Sequence, residues 1–139
     1  MLFRSIELAE FIIQNGADVK KDLSELFKRI VFSIAVSNTD DHLRNHGFIL
    51  TNHGWILSPA YDINPNPYGT GLKLNISEDD NSLDFNLALT VAPYFRLTEK
   101  GAVNIIESIK SIVLKWEDVA AKFQIPKSER DLMYSAFRY

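Results

Sequence analysis

The residues best suited to chemistry lie in Ser37-Asn38-Thr39-Asp40-Asp41-His42-Leu43-Arg44-Asn45, together with Asp62 in Pro59-Ala60-Tyr61-Asp62. Between these two stretches stand two short apolar runs, Gly47 to Thr51 and Trp55 to Ser58, around Asn52-His53-Gly54, which is a compact hairpin signal. Antiparallel strands return the chain to the end from which it started. Asn45, just before the hairpin, and Asp62, just after it, are therefore expected to lie close together, with Asp40 a short loop away. Carboxylate and amide oxygens converging in this way suit a hard cation such as magnesium, which keeps several positions for water and phosphate. A carboxylate at Asp40 can also accept a hydrogen bond from an incoming hydroxyl.

Asp40 and Asn45 share the D-x-x-x-x-N interval of a protein-kinase catalytic loop. A wider pattern carries a more specific likeness. Asn38-Thr39-Asp40-Asp41-His42-x-x-Asn45-His46-Gly47-Phe48, followed by Gly54-Trp55-x-Leu57-Ser58-Pro59-Ala60-Tyr61-Asp62, resembles the C-terminal domain of HipA-type serine/threonine kinases, the toxin halves of bacterial toxin–antitoxin pairs. The resemblance implies an α+β, mostly α-helical fold: a kinase-like C-terminal lobe with a small β-hairpin beside the catalytic loop, occupying residues 1–139 as a single domain. It further implies that Asp40 is the catalytic aspartate, that Asn45 and Asp62 bind Mg2+, and that ATP is the phosphoryl donor to a protein substrate.

The elements that must position these groups can be read from the spacing of apolar residues. From Phe3 to Asn15 that spacing is helical, with Gly16 expected as a left-handed C-cap. Asp22-Leu23-Ser24-Glu25 resembles a capped helix start, and the stripe from Leu23 to Val36 runs straight at the Asn38 loop. Pro59 should end the second hairpin strand, and Tyr61 and Ile63 should anchor inward on either side of Asp62. Asn64 to Gly71 is a loop by composition. Leu72, Leu74 and Ile76 alternate as a strand would, with Lys73 facing outward as a possible phosphate contact or a plain surface lysine. The acidic stretch from Ser77 to Ser82 reads as a solvated loop. A helix ending before Pro93 follows it, then a long Thr98-capped segment from Glu99 to Phe123 with a core-facing stripe, and a last helix from Ser128 to Tyr139 with Leu132, Met133, Ala136 and Phe137 inward.

Within the loop itself, His42 is expected to orient the backbone or Asp62, Asp41 and Arg44 to face solvent or a phosphate, and His46 and His53 to be turn residues. Asn38 has no evident role.

Composition narrows the class. The chain of 139 residues is 46% hydrophobic, enough for one core. A net charge of -3 argues against a basic footprint for direct nucleic-acid binding, and without cysteine no disulfide framework or thiolate metal site is available. No apolar run approaches the roughly 18 residues of a membrane span, so a cytoplasmic protein without membrane contact is the expectation. A kinase also needs a glycine-rich loop and a strand-borne lysine over the phosphates. Their absence leads to the expectation that this chain is either a fragment lacking its N-terminal lobe or one half of a split kinase whose partner supplies that lobe. Alone it would be incomplete in activity, with a possible antitoxin as a further partner. Two other classes compete with this reading. One is a non-catalytic helical module that binds an antitoxin or a separate N-terminal half. The other is a metal-dependent hydrolase with Asp40, Asp41, His42 and His46 around zinc or manganese.

Overall fold

The computed structural model describes residues 4–139. The expected helix start at Phe3 lies outside them. The chain runs α1 (Ser5–Asn15), α2 (Val19–Ala35), β1 (Phe48–Thr51), β2 (Gly54–Leu57), α3 (Phe85–Val91), α4 (Glu99–Val113), α5 (Trp116–Lys122) and α6 (Lys127–Met133), with short 3-10 turns at Leu43–Asn45, Ala92–Phe95 and Tyr134–Ala136. It is a mostly helical α+β fold, and among the described residues the sheet is the antiparallel β1–β2 pair.

At the centre is α2. Its apolar stripe places Leu23, Leu26, Phe27, Ile30, Val31 and Ile34 in full burial, because one face meets α1 while another meets α3 and α4. Asp18, four residues ahead of the expected start, caps it by accepting from the Lys21 N–H. Asp22 is drawn inside instead, where its carboxylate accepts the Leu57 N–H at 2.8 Å. Buried Arg29 donates to the Ser58 carbonyl at 2.5 Å and pairs with Glu25 at 3.2 Å. Two polar ties therefore hold the end of β2 against α2.

The hairpin pairs Phe48 with Leu57 and Thr51 with Gly54, closing on Asn52 and His53. Phe11 of α1 packs on Phe48 (ring centroids 4.7 Å apart) and on Trp55 (6.1 Å). Gly16 is not a left-handed cap: its φ of -72° and ψ of 141° are extended. Extension is what lets the chain leaving α1 lie beside β2, with the Ala17 N–H donating to the Trp55 carbonyl at 2.7 Å. Gly54 carries a φ of 122°, and a Cβ there would stand 2.8 Å from the Asn15 carbonyl oxygen. Gly54→Ala is thus expected to lose about 1–3 kcal/mol, from backbone strain together with the clash. Urea denaturation would read this as a lower midpoint at unchanged slope.

Three other sequence expectations are corrected. The segment carrying Leu72, Leu74 and Ile76 buries those side chains but is not a strand, since its backbone bonds go to separate partners, Leu72 N–H to Asn81 O and Leu74 N–H to Asp41 O, rather than along one ladder. The stretch from Glu99 to Phe123 breaks at Leu114-Lys115 into α4 and α5. Its later apolar residues divide: Val113 and Ala120 are buried as expected, but Ile112 is 63% and Phe123 78% exposed, and with Val36, Trp116 and Met133 these two line an open apolar groove of about 530 Å3. The final helix stops at Met133 and leaves Leu132 exposed, although Ala136 is buried as expected. By contrast Thr98 caps α4 through the Gly101 N–H, and α3 ends at Val91, before Pro93. Among the described residues no helix is long and apolar enough to cross a membrane.

Candidate functional site

Helix α2 ends in a Schellman turn made without glycine. The Asn38 N–H donates to Ser33 O at 2.8 Å and the Ser37 N–H to Ile34 O at 3.2 Å, with Ser37 itself left-handed at φ 52°. Such a conformation is costly for a residue with a Cβ and persists only where its surroundings fix it. Here the fixing comes from the far end of the chain. Ser37 Oγ donates to the Ala136 carbonyl at 2.7 Å and accepts from Arg138 Nε at 3.1 Å.

The loop beyond is held at nearly every residue. Buried Asn38 donates to Ser33 Oγ at 3.3 Å and accepts the Asn64 N–H at 3.3 Å; Thr39 Oγ1 accepts from Asn66 Nδ2 at 2.7 Å. These contacts fold the Asn64–Gly71 loop back onto the Asn38 loop, a connection with no signal in local sequence because its partners stand about 26 residues apart. Asp41, expected at the surface, is 4% exposed, and its carboxylate accepts from His46 Nε2 at 2.8 Å. His46 is therefore an interior strut, not a turn residue. His42 does not reach Asp62. Its Nε2 lies 3.4 Å from the exposed Arg44 guanidinium, while its Nδ1 is buried without a partner among the described residues.

Asn45 and Asp62 meet as the hairpin geometry requires: Asn45 Nδ2 donates to Asp62 Oδ2 at 2.8 Å. The Asn45 Oδ1 accepts the His42 N–H at 3.0 Å, so this buried side chain is fixed at both ends. Asp62 is left-handed, φ 55°, and its other oxygen accepts from Asn64 Nδ2 at 2.9 Å. Tyr61 is not a core anchor. It is 46% exposed, and its hydroxyl donates to the Arg44 carbonyl at 2.6 Å, bracing the loop from outside, whereas Ile63 packs inward against Ala35, Val36 and Val113.

Asp40 projects outward, 63% exposed, and accepts a hydrogen bond from Lys73, which is equally exposed. The Lys73 ammonium, through that bond and through its charge, holds the Asp40 carboxyl below its ordinary value, with smaller pulls from His42 and Arg44. Sequence reasoning placed Lys73 outward but not against Asp40. The two are 33 residues apart, and only the folding of Leu72–Ile76 against the loop brings them together.

Chemically, the site offers a hard, sulfur-free donor set. Asp62 presents a carboxylate on an exposed residue, and the Asn45 carbonyl oxygen keeps a second lone pair beside the one that accepts His42 N–H. That set fits an oxygen-loving divalent cation. It does not fit the zinc arrangement, since among the described residues no group of three or more His, Cys, Asp or Glu side chains is placed to hold a metal ion, and His46 Nε2 is bonded to Asp41.

Comparison with known proteins places the chain in a family. Residues 3–116 match the HipA-like C-terminal domain. A protein of Haemophilus influenzae named "Putative kinase" is 34% identical over 64 residues, a stretch that covers 45% of this chain and 19% of that protein. The family match takes in α1 to α4, the hairpin, and Asp40, Asn45, Asp62 and Lys73, though not Ala136 and Arg138, and the chain belongs to the HipA-like C-terminal domain family.

Proposed function

We propose that this chain is the catalytic lobe of a serine/threonine protein kinase that transfers the γ-phosphoryl group of ATP to a protein hydroxyl. The observation that carries the reading is the Asn45–Asp62 hydrogen bond, made across 17 residues by a buried amide and a left-handed aspartate, in the same loop system as an ionised Asp40. Asp40 is the group that accepts the hydrogen bond of the incoming hydroxyl and aligns its oxygen for in-line attack. As the substrate oxygen bonds to the γ-phosphorus, the bond from that phosphorus to the ADP oxygen breaks, ADP departs, and the hydroxyl proton passes to the Asp40 carboxylate. Asn45 and Asp62 are the residues that would hold Mg2+, and when bound the ion neutralises phosphate charge. The buried frame of Asn38, Asp41 and His46 keeps the loop in one geometry, which phosphoryl transfer needs because positioning and electrostatics supply most of its catalysis.

The partners implied are a protein substrate and a nucleotide-binding lobe, borne on the same polypeptide or on a partner, because no glycine-rich phosphate loop occurs in this sequence. The test is calorimetric titration of ATP with magnesium into the chain, alone and with a candidate N-terminal half. Binding that requires magnesium and vanishes in Asp62→Ala supports the reading. Binding unaffected by Asp62→Ala, or absent even from the reconstituted pair, defeats it.

A second reading is supported by the exposed apolar groove of α4, α5 and α6: an interaction module that receives an antitoxin or the separate N-terminal half. It predicts loss of partner binding in Phe123→Asp with the Asp40 loop unperturbed.

A further inference from the structure

We propose that Lys73 is a positioning residue for Asp40: its ammonium occupies Oδ1 and so presents Oδ2 alone to the incoming hydroxyl. The inference rests on the phosphoryl-transfer reading of the site and deepens it.

An ion pair between two exposed side chains is ordinarily worth little and is often incidental, because two long flexible chains must be held in one geometry. This pair differs in what holds its lysine. Leu72 and Leu74, which flank Lys73, are 2% and 3% exposed, so the backbone between them is anchored in the core. The Leu72 N–H donates to Asn81 O at 2.8 Å, and Asn81 Nδ2 donates back to Leu72 O. The Leu74 N–H donates to Asp41 O at 3.0 Å, tying the lysine-bearing segment to the residue next to Asp40. Asp41 is in turn fixed by His46. The bases of the two side chains are thus set by buried contacts, and only the tips are free in solvent.

Among the described residues Asp40 Oδ1 accepts from Lys73 and Oδ2 accepts no hydrogen bond. A carboxylate with one oxygen committed can turn less about its terminal torsion, and the free oxygen faces a defined direction. The cationic groups that act on Asp40 are Lys73 first, with His42 and Arg44 of its own loop weaker. Removal of Lys73 would therefore free the carboxylate in both orientation and charge balance.

The test compares Lys73→Met and Lys73→Arg in the full chain with two readouts. The first, carbon-13 NMR titration of the Asp40 carboxyl, does not depend on activity. The midpoint is expected to rise toward the ordinary aspartate value in Lys73→Met and to stay low in Lys73→Arg. The second is phosphoryl transfer with the N-terminal half supplied, where Lys73→Met is expected to lose roughly tenfold to a hundredfold in kcat, a fraction of what a general base contributes. KM for ATP should be unchanged, and Lys73→Arg should recover most of the rate. An Asp40 midpoint that ignores Lys73→Met overturns the proposal, as does an equal kcat loss in both variants. If the midpoint moves while no variant, nor the wild type, transfers phosphate, the kinase reading fails and the Lys73–Asp40 coupling stands by itself.

Discussion

Asp40→Asn is expected to lower the turnover of phosphoryl transfer by about 10²- to 10⁴-fold, the range usual for loss of a positioned proton acceptor, while leaving magnesium-dependent nucleotide binding intact. Asparagine matches the shape of aspartate and can still accept from Lys73, so the loop geometry should survive. What disappears is the charge that draws a proton from the attacking hydroxyl. Nucleotide binding is spared because the groups assigned to the cation, Asn45 and Asp62, keep their own hydrogen bond. The pH profile provides an independent check. Lys73 lowers the Asp40 pKa, so the wild-type rate should stay level from neutral pH down through the ordinary carboxylate range. It should then fall as pH drops through the depressed folded value and the carboxylate takes up its proton. The same sign governs stability: the ionised pair contributes above the unfolded value of 3.8 and is lost as pH falls through the folded one, a small effect for groups so exposed. An Asp40→Asn enzyme that turns over at the wild-type rate would remove Asp40 from the reaction.

The candidate site was legible in sequence where its geometry follows from local chain direction. A two-residue hairpin must bring its flanks together, and Asn45 and Asp62 are those flanks. Residue types then suggest the chemistry proposed for them. What escaped were contacts made between segments far apart in the chain: Lys73 on Asp40, Asn66 on Thr39, and Ala136 and Arg138 on Ser37. No periodicity reports them, since each depends on which loop the core delivers to which. Burial of Asp22, Asp41 and His46 escaped for a related reason. A polar residue reads as surface until its partner is known, and each of these finds one inside, the Leu57 N–H for Asp22 and each other for Asp41 and His46. The helices were legible in kind, but their ends were set by neighbours. Gly16 became extended because β2 lies beside it, and the apolar spacing that runs on to Ala120 predicts core, although the break at Leu114-Lys115 leaves Ile112 and Val119 facing solvent.

The largest stability effect should come from Phe27, far from the chemistry. Phe27 is fully buried on α2, with its ring 5.5 Å from that of Phe95 and tilted 58° against it, so the pair joins the central helix to the turn that follows α3. Phe27→Ala removes a ring from a packed interior and is expected to cost about 3–5 kcal/mol, through lost burial and the cavity that remains. That is a large part of the roughly 5–15 kcal/mol by which domains are ordinarily stable. Phe27→Leu keeps most of the volume and should cost less than about 2 kcal/mol. Urea denaturation measures both. The consequence reaches the site because the same helix runs on through Ser33 and Ile34 into the Schellman turn at Ser37 that launches the Asp40 loop. Near its weakened midpoint, Phe27→Ala should lose the Asn45–Asp62 contact together with global structure in one transition, as a cooperatively folded unit would. If the variant costs less than about 1 kcal/mol, α2 is not the element on which the fold depends. If instead the loop melts well before the core, the clamp from Ala136 and Arg138 onto Ser37, rather than the buried face of α2, is what holds the site in place.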